Sequence, residues 1–213
     1  MAGMNGVYLV TDRKVVGAKT LEHAIKEALE CGVRAIQLRE KDMETRGLLN
    51  LARRLREITS GYNALFIVND RPDIALLTGA DGVHLGQHSF SPADIRPLLG
   101  NKKLIGVSTH TLKEALEASR NGADFITFGP VYATASKMPY GAPVGVAALK
   151  EVCERVSLPV YSIGGIDKNN IKEVMAAGAA GVSLIRAILG APNIIRNTKE
   201  IIHEIEIRRR SVL

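Results

Sequence analysis

Tryptophan is absent from this 213-residue chain, and aromatic residues make up only 4% of it. Stacking platforms for nucleic-acid bases are correspondingly scarce. Cysteine is nearly absent too. Cys31 and Cys153 are the two thiols, and they form no spacing framework of the kind that staples secreted domains or ligates zinc. Each sits beside apolar residues in a helical pattern, so buried free thiols in a reducing cytoplasm are expected. No run approaches the roughly 18 apolar residues of a membrane span. The N-terminus lacks a charged segment followed by an apolar signal core. A cytoplasmic location without a membrane partner is therefore expected. Acidic residues are in deficit, 22 against 28 Lys and Arg, for a net charge of +6. The cations are scattered over most helical stretches. The clearest run, Arg208, Arg209 and Arg210, closes a helix, where cations suit the negative dipole end. No nucleic-acid partner is expected from such a distribution.

What the chain does contain is alternation. Short apolar runs rich in β-formers fall at 7–11, 35–38, 65–68, 82–85, 104–107, 125–128, 160–163 and 181–184. They lack strict apolar–polar alternation, as expected of parallel strands covered on both faces. Helical periodicity fills the gaps. Leu21, Ala24, Ile25, Ala28 and Leu29 recur at helical spacing behind Thr20, an N-cap candidate. Leu48, Leu49, Ala52, Leu55 and Ile58 form a second stripe, and Ile194, Ile195, Ile201, Ile202 and Ile205 the last. Ser91-Pro92 opens another helix with a cap and a proline at its first position. Four junctions share one grammar, a helix, then Gly32, Gly79, Gly122 or Gly178, then a strand. Glycine supplies the left-handed cap, and a repeated junction implies a repeated unit. The spacing predicts a closed parallel (β/α)8 TIM barrel, one domain over residues 1–213. An open doubly wound sheet would carry a glycine-rich fingerprint after its first strand, and Val10-Thr11-Asp12-Arg13 has none.

In such a barrel the chemistry sits at the C-terminal ends of the strands. After the second run comes Gln37-Leu38-Arg39-Glu40-Lys41. A period of two sends Gln37, Arg39 and Lys41 to one side, which suits an anion. The alternative is a salt-bridged floor with Glu40 or a later acid as partner. After the third run, Asn69 and Asp70 end an apolar segment, where polar groups need partners. Asp70 suits Mg²⁺ or, equally, an N-cap before Arg71-Pro72. His84 and His88 follow the fourth run as packed or ligand-facing side chains. Ser108, His110 and Thr111 follow the fifth, with Ser108 placed to touch a ligand and Thr111 to cap a helix. The longest loop runs from Gly129 to about Val144, and Thr134, Ser136 and Lys137 within it suit phosphate. Gly164-Gly165 and Ile185-Arg186 follow the last two runs, where barrels often bind phosphate through backbone N–H groups. Two anion sites on one face are expected, for two phosphorylated ligands or one with phosphate at each end.

These segments, together with Tyr8-Leu9-Val10-Thr11-Asp12, Asp81-Gly82-Val83-His84-Leu85-Gly86-Gln87 and Gly106-Val107-Ser108, resemble the thiamine phosphate synthase and thiazole tautomerase superfamily, closest to the synthase branch, from about residue 7 to 190. The resemblance implies a transferase that joins a hydroxymethylpyrimidine diphosphate to a thiazole phosphate and releases diphosphate. It implies that Gln37, Arg39, Lys41, Asn69, Ser108 and Lys137 hold the pyrimidine diphosphate, with Lys137 and Ser108 as the catalytic pair. Thr134, Ser136, Gly164, Gly165, Ile185 and Arg186 then face the thiazole phosphate. Mg²⁺ is the implied cofactor, held by Asp70 and Ser89. The partners are thus phosphorylated pyrimidine and thiazole small molecules, and a homo-oligomer is compatible with them. Two positions depart from the family pattern. Ser89 stands where the synthase has an acidic metal ligand, and Arg186 where a small polar residue is usual. Ser89-Phe90-Ser91-Pro92 resembles the tautomerase branch, yet Pro130 stands where that branch has its catalytic histidine. An isomerase and a non-catalytic binder of the same pathway are the alternatives.

Overall fold

The computed structural model describes residues 4, 6–134 and 142–210. Its strands are Val7–Val10 (β1), Ala35–Leu38 (β2), Leu65–Asn69 (β3), Gly82–Leu85 (β4), Leu104–Thr109 (β5), Phe125–Phe128 (β6), Val160–Ile163 (β7) and Gly181–Leu184 (β8). All pair in parallel in chain order, and β1 pairs with both β2 and β8, so the sheet closes into a barrel. Helices Leu21–Glu30 (α1), Thr45–Gly61 (α2), Pro72–Leu77 (α3), Pro92–Leu99 (α4), Leu112–Arg120 (α5), Gly145–Arg155 (α6), Ile171–Ala176 (α7), Arg186–Leu189 (α8) and Ile194–Arg210 (α9) alternate with the strands and cover them. This is the (β/α)8 TIM barrel that the spacing predicts. The strand ends differ slightly. β1 stops at Val10, while β3 reaches Asn69 and β5 reaches Thr109. Among the described residues no helix is long and apolar enough to cross a membrane.

The helix ends form for local reasons. Thr20 accepts a hydrogen bond from the His23 N–H at 3.3 Å, and Thr111 accepts from Glu114 N–H at 3.2 Å. Ser91 and Asp94 form a reciprocal capping box. At the four junctions Gly32, Gly79, Gly122 and Gly178 have φ between +62° and +107°, the region where a side chain is costly. Two of these junctions carry a further device. Asp81 accepts from Phe66 N–H at 2.7 Å and pairs with Arg56 of α2. Asp124 accepts from Ile105 N–H at 2.7 Å and pairs with Arg96 of α4. Each aspartate ties the start of its own strand to the start of the preceding strand and to a helix, at the barrel end opposite the expected site.

The pleat sorts the strand residues into two cores. Leu9, Ile36, Phe66, Val83, Ile126 and Val182 face the helices and join one large apolar cluster. Met4, Tyr8, Ala35, Ile67, Phe125 and Tyr161 fill the barrel interior. Three aromatic rings, Tyr8, Phe125 and Tyr161, meet there. Tyr8 packs edge-on against Phe125 with ring centroids 5.5 Å apart, a geometry the ring quadrupoles favour. Two expected stripes shift. In α2 the buried positions are Leu48, Leu51, Ala52, Leu55 and Thr59, so Leu49 and Ile58 lie at the edge. In α9 Ile195 is exposed while Ile194, Ile201 and Ile205 are buried. Cys31 and Cys153 are free but only half-buried, in contrast to the expected full burial. Cys31 lies in the C-cap turn of α1 beside α9. Burial pushes the Cys153 thiol up to about 11, so it is held as the unreactive thiol.

Candidate functional site at the C-terminal mouth of the barrel

At the β2 end Glu40 is not the acidic partner of Arg39 or Lys41. Glu40 is buried, and it turns away from its neighbours to accept from the Arg13 backbone N–H at 3.0 Å and from the Arg13 guanidinium at 3.0 Å. Asp42 holds the other side of Arg13. Arg39 and Lys41 therefore have no acidic partner among the described residues. Gln37 is 3% exposed and points into the barrel, Arg39 is half-buried at its mouth, and Lys41 is exposed. The period of two holds for the strand residue and is lost where β2 ends.

Asp70 does not cap α3. Arg71 occupies the N-cap position, without a side-chain cap bond. Asp70 has φ +53°, and its carboxylate is turned to the mouth. One oxygen accepts from Gly86 N–H at 2.8 Å and the other from the Asn69 amide at 3.0 Å. A Cβ at Gly86 would meet Asp70 Oδ2 at 3.3 Å, so glycine there leaves room for the carboxylate. Ser89 N–H donates to the Gly86 carbonyl at 3.1 Å, which brings Ser89 to the same turn. Among the described residues no group of three or more His, Cys, Asp or Glu side chains gathers as a metal cluster.

Below this rim lies a buried polar layer. The Gln37 amide nitrogen donates to the Tyr8 hydroxyl at 2.8 Å. The Tyr8 hydroxyl lies 3.4 Å from His84 Nδ1. His84 Nε2 lies 3.0 Å from Ser108 Oγ and 3.4 Å from Thr127 Oγ1. Burial pushes the His84 imidazole down to about 4, against the opposing pull of Asp70. The ring is therefore neutral near pH 7. Burial likewise pushes the Tyr8 phenol well above its ordinary range. His84 is thus the packed, hydrogen-bonded histidine, whereas His88 is exposed. His110 Nδ1 meets the Gly129 carbonyl, and the His110 N–H donates to Glu114 at 2.7 Å.

The long loop leaves β6 along the β7 end. Val131 N–H donates to the Ile163 carbonyl at 2.9 Å and Tyr132 N–H to that of Gly164 at 3.0 Å. On its return, Val144 N–H donates to the Pro130 carbonyl at 2.8 Å. Gly164 and Gly165 have φ +97° and +64°. A Cβ on Gly164 would meet Pro130 Cα at 2.5 Å, and one on Gly165 the Ala133 carbonyl oxygen at 2.6 Å. The glycine pair is therefore required by the loop's first residues as well as by any phosphate. Gly164→Ala is expected to cost about 2 kcal/mol or more, from backbone strain and contact together. Gly122→Ala, at φ +85° with nothing within 4 Å of the added carbon, carries the strain alone. Thermal unfolding of the two variants checks this, and equal midpoints would refute the contact.

Thr134 is half-buried at the loop's described edge. Ser136 and Lys137 lie outside the described residues. Ile185 is half-buried and Arg186 exposed, at the start of α8. Tyr8 and Thr127 join the buried polar layer from within strands rather than after them, where the sequence offers no strand-end motif. Their signal was a polar side chain at an inward position of an otherwise apolar run.

Comparison with known proteins gives one consistent neighbourhood. The family model described as Thiamine monophosphate synthase matches residues 7–188. A relative in Geobacter sulfurreducens is 51% identical, covering 88% of this chain and 88% of its own. The "Thiamine-phosphate synthase" of Clostridium novyi is 43% identical over 86% of this chain and 90% of its own. Among solved structures, "Thiamine phosphate pyrophosphorylase from Pyrococcus furiosus" superposes with a TM-score of 0.88 at 36% identity, covering 97% of this chain and 98% of that one. A 3-hexulose-6-phosphate synthase from Salmonella typhimurium, with a TM-score of 0.74 at 14% identity, shares the fold.

Proposed function

The chain belongs to the thiamine monophosphate synthase family, and from that premise we propose that it is the transferase joining an aminopyrimidine methyl diphosphate to a thiazole phosphate, with release of diphosphate. The observation that carries this reading is the pair Arg39 and Lys41. Glu40 is sequestered by Arg13, so two cations at the strand end are left for an anionic ligand. In the reaction the carbon–oxygen bond to diphosphate breaks with its electron pair leaving on oxygen. The thiazole nitrogen then donates its lone pair to the resulting pyrimidine-stabilised carbocation. Charge accumulates on the leaving group, so Arg39, Lys41 and Lys137 contribute by stabilising it.

The Asp70 carboxylate fits a divalent cation. Its two oxygens each accept one hydrogen bond, which orients them and leaves lone pairs toward the mouth. One carboxylate with water and phosphate oxygens is a common Mg²⁺ donor set. Asp70, with Ser89 from the adjoining Gly86 turn, would hold the ion, and Mg²⁺ bound there would supply positive charge toward the departing diphosphate. Gln37, Asn69 and Ser108 line the pyrimidine side. Thr134, Gly164, Gly165, Ile185 and Arg186, with Ser136 of the long loop, are the residues assigned to the thiazole phosphate. The bond-forming step takes no proton from either partner, which suits a mouth whose nearest histidine is neutral and occupied at both nitrogens. An isomerase would need a free base; Pro130 supplies none and His84 is occupied at both nitrogens, which leaves His88 and His110 as the bases to test for that reading.

The test is incubation with both phosphorylated substrates and Mg²⁺, following thiamine phosphate by chromatography and diphosphate release in parallel. Stoichiometric appearance of both is expected. Absence of both, with metal-independent isomerisation of a thiazole carboxylate phosphate, would put the tautomerase reading in its place.

A further inference from the structure

The buried layer under the mouth has a direction. The Gln37 amide N–H donates to the Tyr8 oxygen at 2.8 Å. Tyr8 is fully buried, so its own O–H needs an acceptor. Among the described residues the remaining side-chain partner of the phenol is His84 Nδ1 at 3.4 Å. Nδ1 is therefore the acceptor nitrogen, and a neutral imidazole carries its single hydrogen on the other one. His84 Nε2–H then donates to Ser108 Oγ at 3.0 Å. Ser108, with an incoming donor, has its own O–H left for the mouth. Gln37, with its nitrogen spent on Tyr8, has its carbonyl oxygen left. The His84 ring is held in place on its side. A Cβ at Gly106 would meet His84 Nδ1 at 2.6 Å, so glycine gives the ring its slot, and Phe125 packs 5.7 Å away.

We propose that Tyr8 and His84 are positioning residues that set the hydrogen-bond polarity of the pyrimidine pocket, holding Gln37 as an acceptor and Ser108 as a donor. This rests on the pyrimidine reading above. An aminopyrimidine presents an N–H on its exocyclic amine beside a bare ring nitrogen, one donor next to one acceptor. A 4-oxo pyrimidine presents the reverse, a carbonyl oxygen beside a ring N–H. The relay couples the two ends of the pocket, because turning the Gln37 amide over would reverse every bond through Tyr8 and His84 to Ser108. The pocket thus selects the amino compound over the oxo compound without either relay residue touching the ligand.

The test measures calorimetric affinity for two hydroxymethylpyrimidine monophosphates, amino and oxo, which have no diphosphate to lose. The parent protein is expected to prefer the amino compound by about 10- to 100-fold, the scale of leaving buried polar groups unpaired. Tyr8→Phe removes the hydroxyl and keeps the ring, and should collapse the preference to about threefold or less. In turnover it should raise KM for the pyrimidine diphosphate and leave kcat nearly unchanged, since binding is what the relay shapes. His84→Gln, whose amide reaches the Nε2 position, should retain most of the preference, while His84→Asn, which falls short of Ser108, should lose it. A folded Tyr8→Phe protein with an unaltered preference would overturn the relay and leave the synthase reading standing. A parent that prefers the oxo compound would overturn the polarity. Should Tyr8→Phe not fold, the contrast between the Gln and Asn variants decides, and equal preferences in those two overturn the relay. If the parent makes no thiamine phosphate, the synthase reading fails by itself, and the affinity ratios still decide the relay.

Discussion

Asp70→Asn is expected to lower thiamine phosphate formation by about 10³-fold or more, since it removes the negative charge that would hold a cation against the leaving diphosphate. The substitution conserves size, and the retained carbonyl oxygen still accepts from Gly86 N–H. Folding should survive, and the variant loses the charge together with the hydrogen bond from the Asn69 amide. Ser89 makes the experiment sharper. The turn from Gly86 to Ser89 borders the Asp70 carboxylate, and a carboxylate at residue 89 would give the cation a second anionic ligand. Free protein should bind Mg²⁺ weakly, with the pyrimidine diphosphate supplying the missing charge. Ser89→Asp should tighten metal binding and shift the Mg²⁺ needed for half-maximal turnover downward. Titrating Mg²⁺ against product formation in the parent, Ser89→Asp and Asp70→Asn separates these effects. Failure of both parent and Ser89→Asp to form product at any Mg²⁺ concentration would sink the synthase reading.

Lys137→Ala is expected to cut kcat by about 10²-fold or more, on the scale of removing one preorganised electrostatic group. Lys137 is the single Lys or Arg between Gly129 and Val144, and Thr134 and Ser136 flank it. Both ends of this loop are tied to the barrel, through Val131 and Tyr132 to the β7 end and through Val144 to Pro130. The segment that carries the lysine therefore starts and finishes at the site's rim. An unchanged thermal midpoint in the variant would separate lost chemistry from lost folding. A folded variant with full turnover would assign the loop to structure alone.

Asp70 was equally readable from sequence as a helix cap or a metal ligand, because both roles want a carboxylate before Arg71-Pro72. The structure removes the cap, since Arg71 takes that position and Asp70 turns to Gly86. The Gln37-Leu38-Arg39-Glu40-Lys41 segment was similarly open between an anion site and an internal salt bridge. Arg13, 27 residues away, takes Glu40 and so removes it as the internal partner of Arg39 and Lys41. Gly164-Gly165 reads as a phosphate loop from the sequence, and the structure shows it as a packing surface for Pro130 to Ala133.

The sequence by itself determined the eight strands to within a residue or two, the capped helix starts and the face on which chemistry had to lie. Those features depend on φ preferences, side-chain period and capping groups, all expressed within a few neighbouring residues. The motifs at the strand ends were legible for the same reason. Tertiary structure alone decided which polar groups met. Tyr8 reaches His84 across 76 residues and Asp70 reaches Gly86 across 16, distances over which no local propensity acts. Closing the sheet brought β1 beside β8 and turned inward the side chains at Tyr8, Gln37, His84 and Ser108. In that dry interior each donor had to find an acceptor, and this requirement, absent from the linear chain, gave the pocket its polarity.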